Sequence, residues 1–127
     1  MPRPVHFEIH ATDPQQAVTF YEQVFGWKIE QWGDQPYWLI TTGDTSPGID
    51  GGLVPRRGPA PSADAPVSSF VNTIDVADLD ATLAAIGRAG GTVALAKHAV
   101  PRIGWLAYFK DVDNNLFGVM QPDEQAG

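Results

Sequence analysis

Three residues near the start of the chain carry the first chemical information. His6, Glu8 and His10 alternate with Val5, Phe7 and Ile9, which is the period of a β-strand. One face of that strand is then apolar, and the other carries two imidazoles and a carboxylate. Such groups exchange protons near neutral pH, orient a polar substrate, or ligate a metal ion. A strand rises about 3.3 Å per residue, so successive members stand about 6.5 to 7 Å apart and the two histidines about 13 Å apart. Adjacent members could share one ion, whereas all three could not. Each also has a structural alternative. His6 can hydrogen-bond across a sheet, Glu8 can sit in an ion pair or on a wet face, and His10, near the strand end, reads as exposed.

A second group could line a cleft. Tyr37, Trp38, Trp105, Tyr108, Leu116 and Met120 fall on expected strands, where alternate residues share a face. Such a lining suits a flat or hydrophobic small molecule, with His6 and Glu8 as its few orienting polar groups. The competing reading is that these side chains fill a core. Arg102, in Val100-Pro101-Arg102-Ile103-Gly104, could clamp an anionic group or stay a solvated loop charge. Arg56-Arg57 is too common a pair to name a phosphate site. The sequence contains no GxGxxG, P-loop or GxSxG motif, so nucleotide-fold and hydrolase readings have no support.

The elements that must position these residues follow from the pattern. A strand over Pro4 to Ala11 leads to Asp13, which can cap a helix, with Pro14 suited to its first position and Gln16 at capping-box spacing. Ala17, Phe20, Tyr21, Val24 and Phe25 form one apolar stripe, and Gly26 can end the helix in the left-handed conformation. Strands are expected over Trp27 to Trp32, Pro36 to Thr42 and Ile49 to Val54. Residues 55 to 66 hold four prolines in twelve, a linker composition. The order then repeats: a strand from Val67 to Ile74, a helix from about Asp78 to Ala89 with Leu79, Leu83 and Ile86 on one stripe, and Gly90-Gly91. Strands over Thr92 to Lys97, Gly104 to Lys110 and Asn115 to Gln121 follow, the last two joined at Asp113-Asn114. Shifting one half by 65 residues matches Ile9 with Ile74, Asp13 with Asp78, Val18 with Leu83 and Gly26 with Gly91. Each βαβββ unit leaves one sheet face without a helix, and two units burying or sharing those faces would enclose a cleft.

Composition bounds the function. A chain of 127 residues, 43% hydrophobic and 18% charged, suits one globular domain. A net charge of −7 opposes binding to a phosphate backbone, so no nucleic-acid partner is expected. No apolar run approaches the roughly 18 residues of a bilayer span, and the first residues lack a signal-peptide core, so a cytoplasmic protein with no membrane partner is expected. The absence of cysteine excludes disulfides, Fe–S clusters, thiolate zinc sites and a Cys nucleophile.

Val5-His6-Phe7-Glu8-Ile9, followed by Asp13-Pro14, Phe20-Tyr21 and Val24-Phe25-Gly26-Trp27, resembles the opening of the vicinal oxygen chelate superfamily. That superfamily includes glyoxalase I, bleomycin-resistance proteins and extradiol dioxygenases. Val76-Ala77-Asp78-Leu79-Asp80-Ala81 with Gly90-Gly91 is similar to its second helix, and Gly104 to Asp111 with Phe117-Gly118-Val119-Met120-Gln121 to its closing hairpin. The resemblance implies an α+β fold: two tandem βαβββ modules, about 4–55 and 67–122, joined by the Pro-rich linker within a single domain spanning residues 1–127. It implies a curved mixed sheet around a cleft, and commonly a homodimer.

The resemblance also says where the metal of the family's enzymes would be held. The first ligand is a His seven residues before the Asp that opens the first helix, and His6 fills that position. Its mate in the second module is Val71. The final Glu of the family pattern falls at Gly118, and the remaining ligand falls among Gly51, Gly52 and Leu53. None of these can coordinate, and one His does not make a metal site. If Gly118 faces the cleft, Leu116 and Met120 do as well, while Phe117 and Val119 pack beneath the helices. The expectation is a protein of the glyoxalase and bleomycin-resistance kind that binds a small hydrophobic or aromatic molecule through His6, Glu8, Trp38, Arg102, Trp105, Leu116, Gly118 and Met120. No metal or other cofactor is expected. Two alternatives stay open: a metal-independent lyase or isomerase using His6 and Glu8 for proton transfer, and a metal-dependent lyase or dioxygenase with a site rebuilt at His6.

Overall fold

The structure is a computed structural model that describes residues 3–66 and 70–127. The chain divides into two compact units, Met1–Ala60 and Pro61–Gly127. In the first, β1 (Phe7–Ala11), α1 (Pro14–Phe25), β2 (Lys28–Gln31), β3 (Trp38–Thr41) and β4 (Gly51–Pro55) build a four-stranded sheet in the order β1-β4-β3-β2. In the second, β5 (Thr73–Asp75), α2 (Leu79–Arg88), β6 (Thr92–Val100), β7 (Gly104–Lys110) and β8 (Leu116–Pro122) repeat that plan in the order β5-β8-β7-β6. In each sheet the first strand lies parallel to the last and the other pairs are antiparallel. The architecture is the α+β fold of two βαβββ modules.

Local chemistry explains the helices. The Asp13 carboxylate accepts the Gln16 N–H at 3.2 Å, Pro14 takes the first helical position, and Gly26 closes α1 at φ 69°. Ala17, Val18, Phe20 and Tyr21 are buried against the first sheet. In α2 the Asp78 carboxylate accepts the Ala81 N–H at 3.0 Å, and Leu79 and Ile86 are buried. Leu83, placed on that stripe by its spacing, remains 37% exposed.

The strands depart from their expected limits for reasons of pairing. β1 begins at Phe7, three residues later than its alternation suggests, because its parallel partner β4 begins at Gly51. Just before β4, Asp50 and Ile49 are engaged instead by Thr42: the Asp50 carboxylate accepts the Thr42 N–H, and the Ile49 carbonyl accepts its hydroxyl. β5 is shorter still, opposing β8 only from Thr73 to Asp75. The start of the strand expected over residues 67–74 lies outside the described residues. β6 instead runs past Lys97 to Val100, keeping its pairing with β7 through register shifts between Val93 and Leu95 and between Leu95 and His98. Among the described residues no helix is long and apolar enough to cross a membrane.

The Pro-rich segment divides at the unit boundary. Its later part is fastened to the second unit, where the Lys110 ammonium donates to the Ala63 and Ala65 carbonyls and the Asn114 amide to the Pro61 carbonyl. The β7–β8 turn is closed by Asp111, whose carboxylate accepts the Asp113 and Asn115 N–H groups. Asn114 takes φ 61° there.

Candidate functional site

Residues paired across a sheet share a face, so register decides which side chains meet. In the first unit Glu8 pairs with Gly52 and Gly52 with Leu39. That row is on the face away from α1, while Ile40, Leu53 and Ala11 are buried on the helix side. His6 and His10 keep the phase of Glu8. Glu8 Oε1 stands 2.8 Å from His10 Nε2, and both side chains are 47% exposed. Glu8 therefore has a hydrogen-bonding partner on its own strand. Arg56 donates to the His10 carbonyl at 2.8 Å and fixes the backbone at that end of the strand.

His6 meets Tyr37, which the sequence places among the possible cleft residues but outside the expected ligand site. The Tyr37 hydroxyl lies 3.4 Å from His6 Nε2, and its ring covers Gly52 so closely that a Cβ there would overlap the hydroxyl. The glycine is what lets the phenol's hydroxyl end approach the strand beside the imidazole. Trp38, the neighbour chosen from sequence, points the other way: it pairs with the fully buried Leu53 on the helix face. The first sheet thus brings His6, Glu8, His10 and Tyr37 together and leaves Trp38 apart. The available signal was the adjacent Gly51-Gly52 pair, since a strand glycine marks a place where something approaches closely.

The second unit repeats the device. Gly118 pairs with Thr73 on one side and Tyr108 on the other, and a Cβ there would stand 3.1 Å from the Tyr108 ring and 3.2 Å from Thr73 Oγ1. Leu116 and Met120 share this face with Gly118, while Phe117 and Val119 are buried on the opposite side. Trp105 is on that opposite side too. It pairs with Gln121, whose side-chain oxygen accepts the Leu79 N–H at 2.8 Å at the head of α2. Its indole donates to Asp123 at 3.0 Å, and the Lys97 ammonium, 5.2 Å from its ring centroid, also reaches Asp80. Trp105 therefore secures a helix and a turn, apart from the Gly118 face. The Asp123 carboxyl is held below the usual carboxylate range by the Gln125 N–H and then by the Trp105 indole. Arg102 is exposed in the β6–β7 turn, in the left-handed conformation at φ 66°, its N–H donating to the Ala126 carbonyl.

The donor chemistry does not fit the metal centre that the resemblance implies. Gly52 and Gly118 bring tyrosine rings, not carboxylates, to the sheet centres. Among the described residues no three His, Asp or Glu side chains gather where one ion could hold them. The arrangement instead offers hydroxyl, imidazole and carboxylate groups beside apolar surface, which can orient a small ligand or move a proton.

The family model of the Glyoxalase/Bleomycin resistance protein/Dioxygenase superfamily matches residues 3–119. No curated protein matches the chain. Among solved structures, a glyoxalase/bleomycin resistance protein/dioxygenase family enzyme from Burkholderia phytofirmans PsJN superposes with a TM-score of 0.73 at 19% identity, covering 93% of this chain and 97% of its own. TioX from Micromonospora sp. ML1 gives a TM-score of 0.66 at 17% identity, covering 96% of this chain and 100% of its own. A variant of the fosfomycin resistance protein FosX from Listeria monocytogenes, complexed with manganese(II) and 1S,2S-dihydroxypropylphosphonic acid, gives 0.72 at 15% identity, covering 97% of this chain and 92% of its own. At these identities the likeness is one of fold.

Proposed function

Because the chain belongs to the Glyoxalase/Bleomycin resistance protein/Dioxygenase superfamily, we propose that it binds a small hydrophobic or aromatic molecule on the open faces of its sheets, without the metal of the family's enzymes. The observation that carries this reading is the Tyr37 hydroxyl beside His6 over Gly52. A phenol and an imidazole fixed at one point of a sheet supply directional hydrogen bonds, and the surrounding surface supplies burial. In this reading Tyr37 takes the place given to Trp38 on the first sheet; on the second, Tyr108 takes the place given to Trp105, and Leu116, Gly118 and Met120 form an apolar face of that unit's own. Arg102 serves at most as a rim charge for an anionic substituent.

The test is a calorimetric titration with a panel of small aromatic compounds, repeated on His6→Ala, Glu8→Gln and Tyr37→Phe. Loss of one polar partner weakens binding by about 1–3 kcal/mol. Unchanged affinity in His6→Ala and Tyr37→Phe would overturn the site.

The second reading, a metal-independent lyase or isomerase, is favoured by the two short-range pairs, His6 with Tyr37 and Glu8 with His10. In it His6 moves a proton between substrate and solvent, Tyr37 orients the ring, and Glu8 holds His10. Its signature is a turnover loss of about 10² to 10⁴-fold in His6→Ala with folding unchanged. Metal analysis of protein purified without chelator separates both from the third alternative, since stoichiometric transition metal would restore a site built at His6. The homodimer and the cytoplasmic location belong to the same proposal, and light scattering checks the first.

A further inference from the structure

The Leu116–Gly118–Met120 face of the second unit also carries a buried cation, which the preceding reading does not use. Lys110 ends β7 and is only 7% exposed. Its ammonium donates to the Ala63 carbonyl at 2.5 Å and the Ala65 carbonyl at 3.1 Å, which occupies two of its three N–H groups. Among the described residues no carboxylate forms an ion pair with it. The adjacent carboxylate, Asp111, is committed to the turn. Asp64 lies nearest in charge but is exposed, and its own Ser62 hydroxyl, more than Lys110, holds its carboxyl below the usual range. Two carbonyl dipoles do not neutralise an ammonium withdrawn from water, so an anion reaching the third N–H is stabilised there.

Space for such an anion lies beside the ammonium. Lys110 lines a hollow of about 280 Å³ between residues 63–66 and the sheet, with Leu116, Val93, Ala94, Ala65 and Pro66 forming apolar wall. That volume falls just below the usual range of drug-sized ligand sites, about 300–1,000 Å³, and suits only a small molecule. A single cation with one free donor matches one carboxylate, and the ionised Asp64 on the rim, in a chain of net charge −7, disfavours a second negative charge. We infer that the second unit binds a small apolar monocarboxylate, with its carboxylate on the Lys110 ammonium and its body against Leu116, Ala65 and Pro66. The site shares Leu116 with the preceding reading but needs nothing from His6, Glu8 or Tyr37, so its failure would leave the pairing of Tyr37 with His6 standing.

Benzoate and its neutral isostere benzamide are the probes, titrated into the full chain at low salt and followed by amide resonances in two-dimensional NMR. Benzoate is expected to shift Val93, Ala94, Lys110 and Leu116 saturably and to bind at least about tenfold more tightly than benzamide. Lys110→Met should abolish that preference and Lys110→Arg should keep it. Because Lys110 also fastens residues 63–65, the exposed Ala94→Glu gives an independent arm: a carboxylate at the mouth should weaken benzoate about tenfold without altering the melting curve. Equal binding of the two probes, benzoate shifts confined to other residues, absence of benzoate binding, or unchanged benzoate affinity in Ala94→Glu would each overturn the site.

Discussion

Gly51 and Gly52 are neighbours in sequence with opposite obligations. A Cβ on Gly51 would stand 2.5 Å from the Phe7 carbonyl oxygen, which β1 holds in place, whereas the nearest atoms to a Cβ on Gly52 belong to the far end of the Tyr37 side chain. Gly51→Ala should therefore cost about 1–3 kcal/mol of stability, measured by urea denaturation. Gly52→Ala should cost less and instead push the hydroxyl off His6, so that its effect appears in ligand affinity. The alternation of His6, Glu8 and His10 was legible because Phe7 and Ile9 anchored the phase of one strand. The phase of β3 was not legible, because Tyr37-Trp38-Leu39-Ile40 is apolar on both faces. Only the pairing of Trp38 with Leu53 decides which aromatic ring joins His6. Trp105 was misplaced for the same reason, since both Trp105 and Leu106 could have faced a cleft.

At the level of elements, the helices were legible almost residue by residue, because their ends are written in local chemistry. Asp13 and Asp78 each spend a carboxylate on a first-turn N–H. Asp13→Ala and Asp78→Ala should each cost about 1 kcal/mol, measured by thermal or urea unfolding. Asp78→Ala should be the milder of the two, because Gln121 still accepts the Leu79 N–H in α2. Strand limits were less legible because they belong to partners: β1 begins and ends with its pairing to β4, Phe7 opposite Gly51 and Ala11 opposite Pro55. The attachment of the Pro-rich segment was also out of reach. Nothing local to Ala63 or Ala65 announces that Lys110, more than forty residues away, will collect their carbonyls.

For the whole molecule, acid is the revealing perturbation. Asp64 and Asp123 both have carboxyls held below the usual range in the fold, the first chiefly by the Ser62 hydroxyl and the second by the Gln125 N–H. A folded pKa below the unfolded one means that the unfolded chain takes up protons first. The stabilisation is complete above the unfolded value of about 3.9 and is lost as pH falls through the folded values. The melting temperature should hold down to about pH 5 and then drop, and Asp123→Asn should melt lower at neutral pH yet lose less on acidification. β6 matters at this scale as well. It is an edge strand of nine residues, seven of them exposed, including the apolar Val93 and Leu95. A long, straight, apolar edge is a template for foreign strands, and the two register slips of β6 interrupt the regular row of donors and acceptors that such templated growth requires.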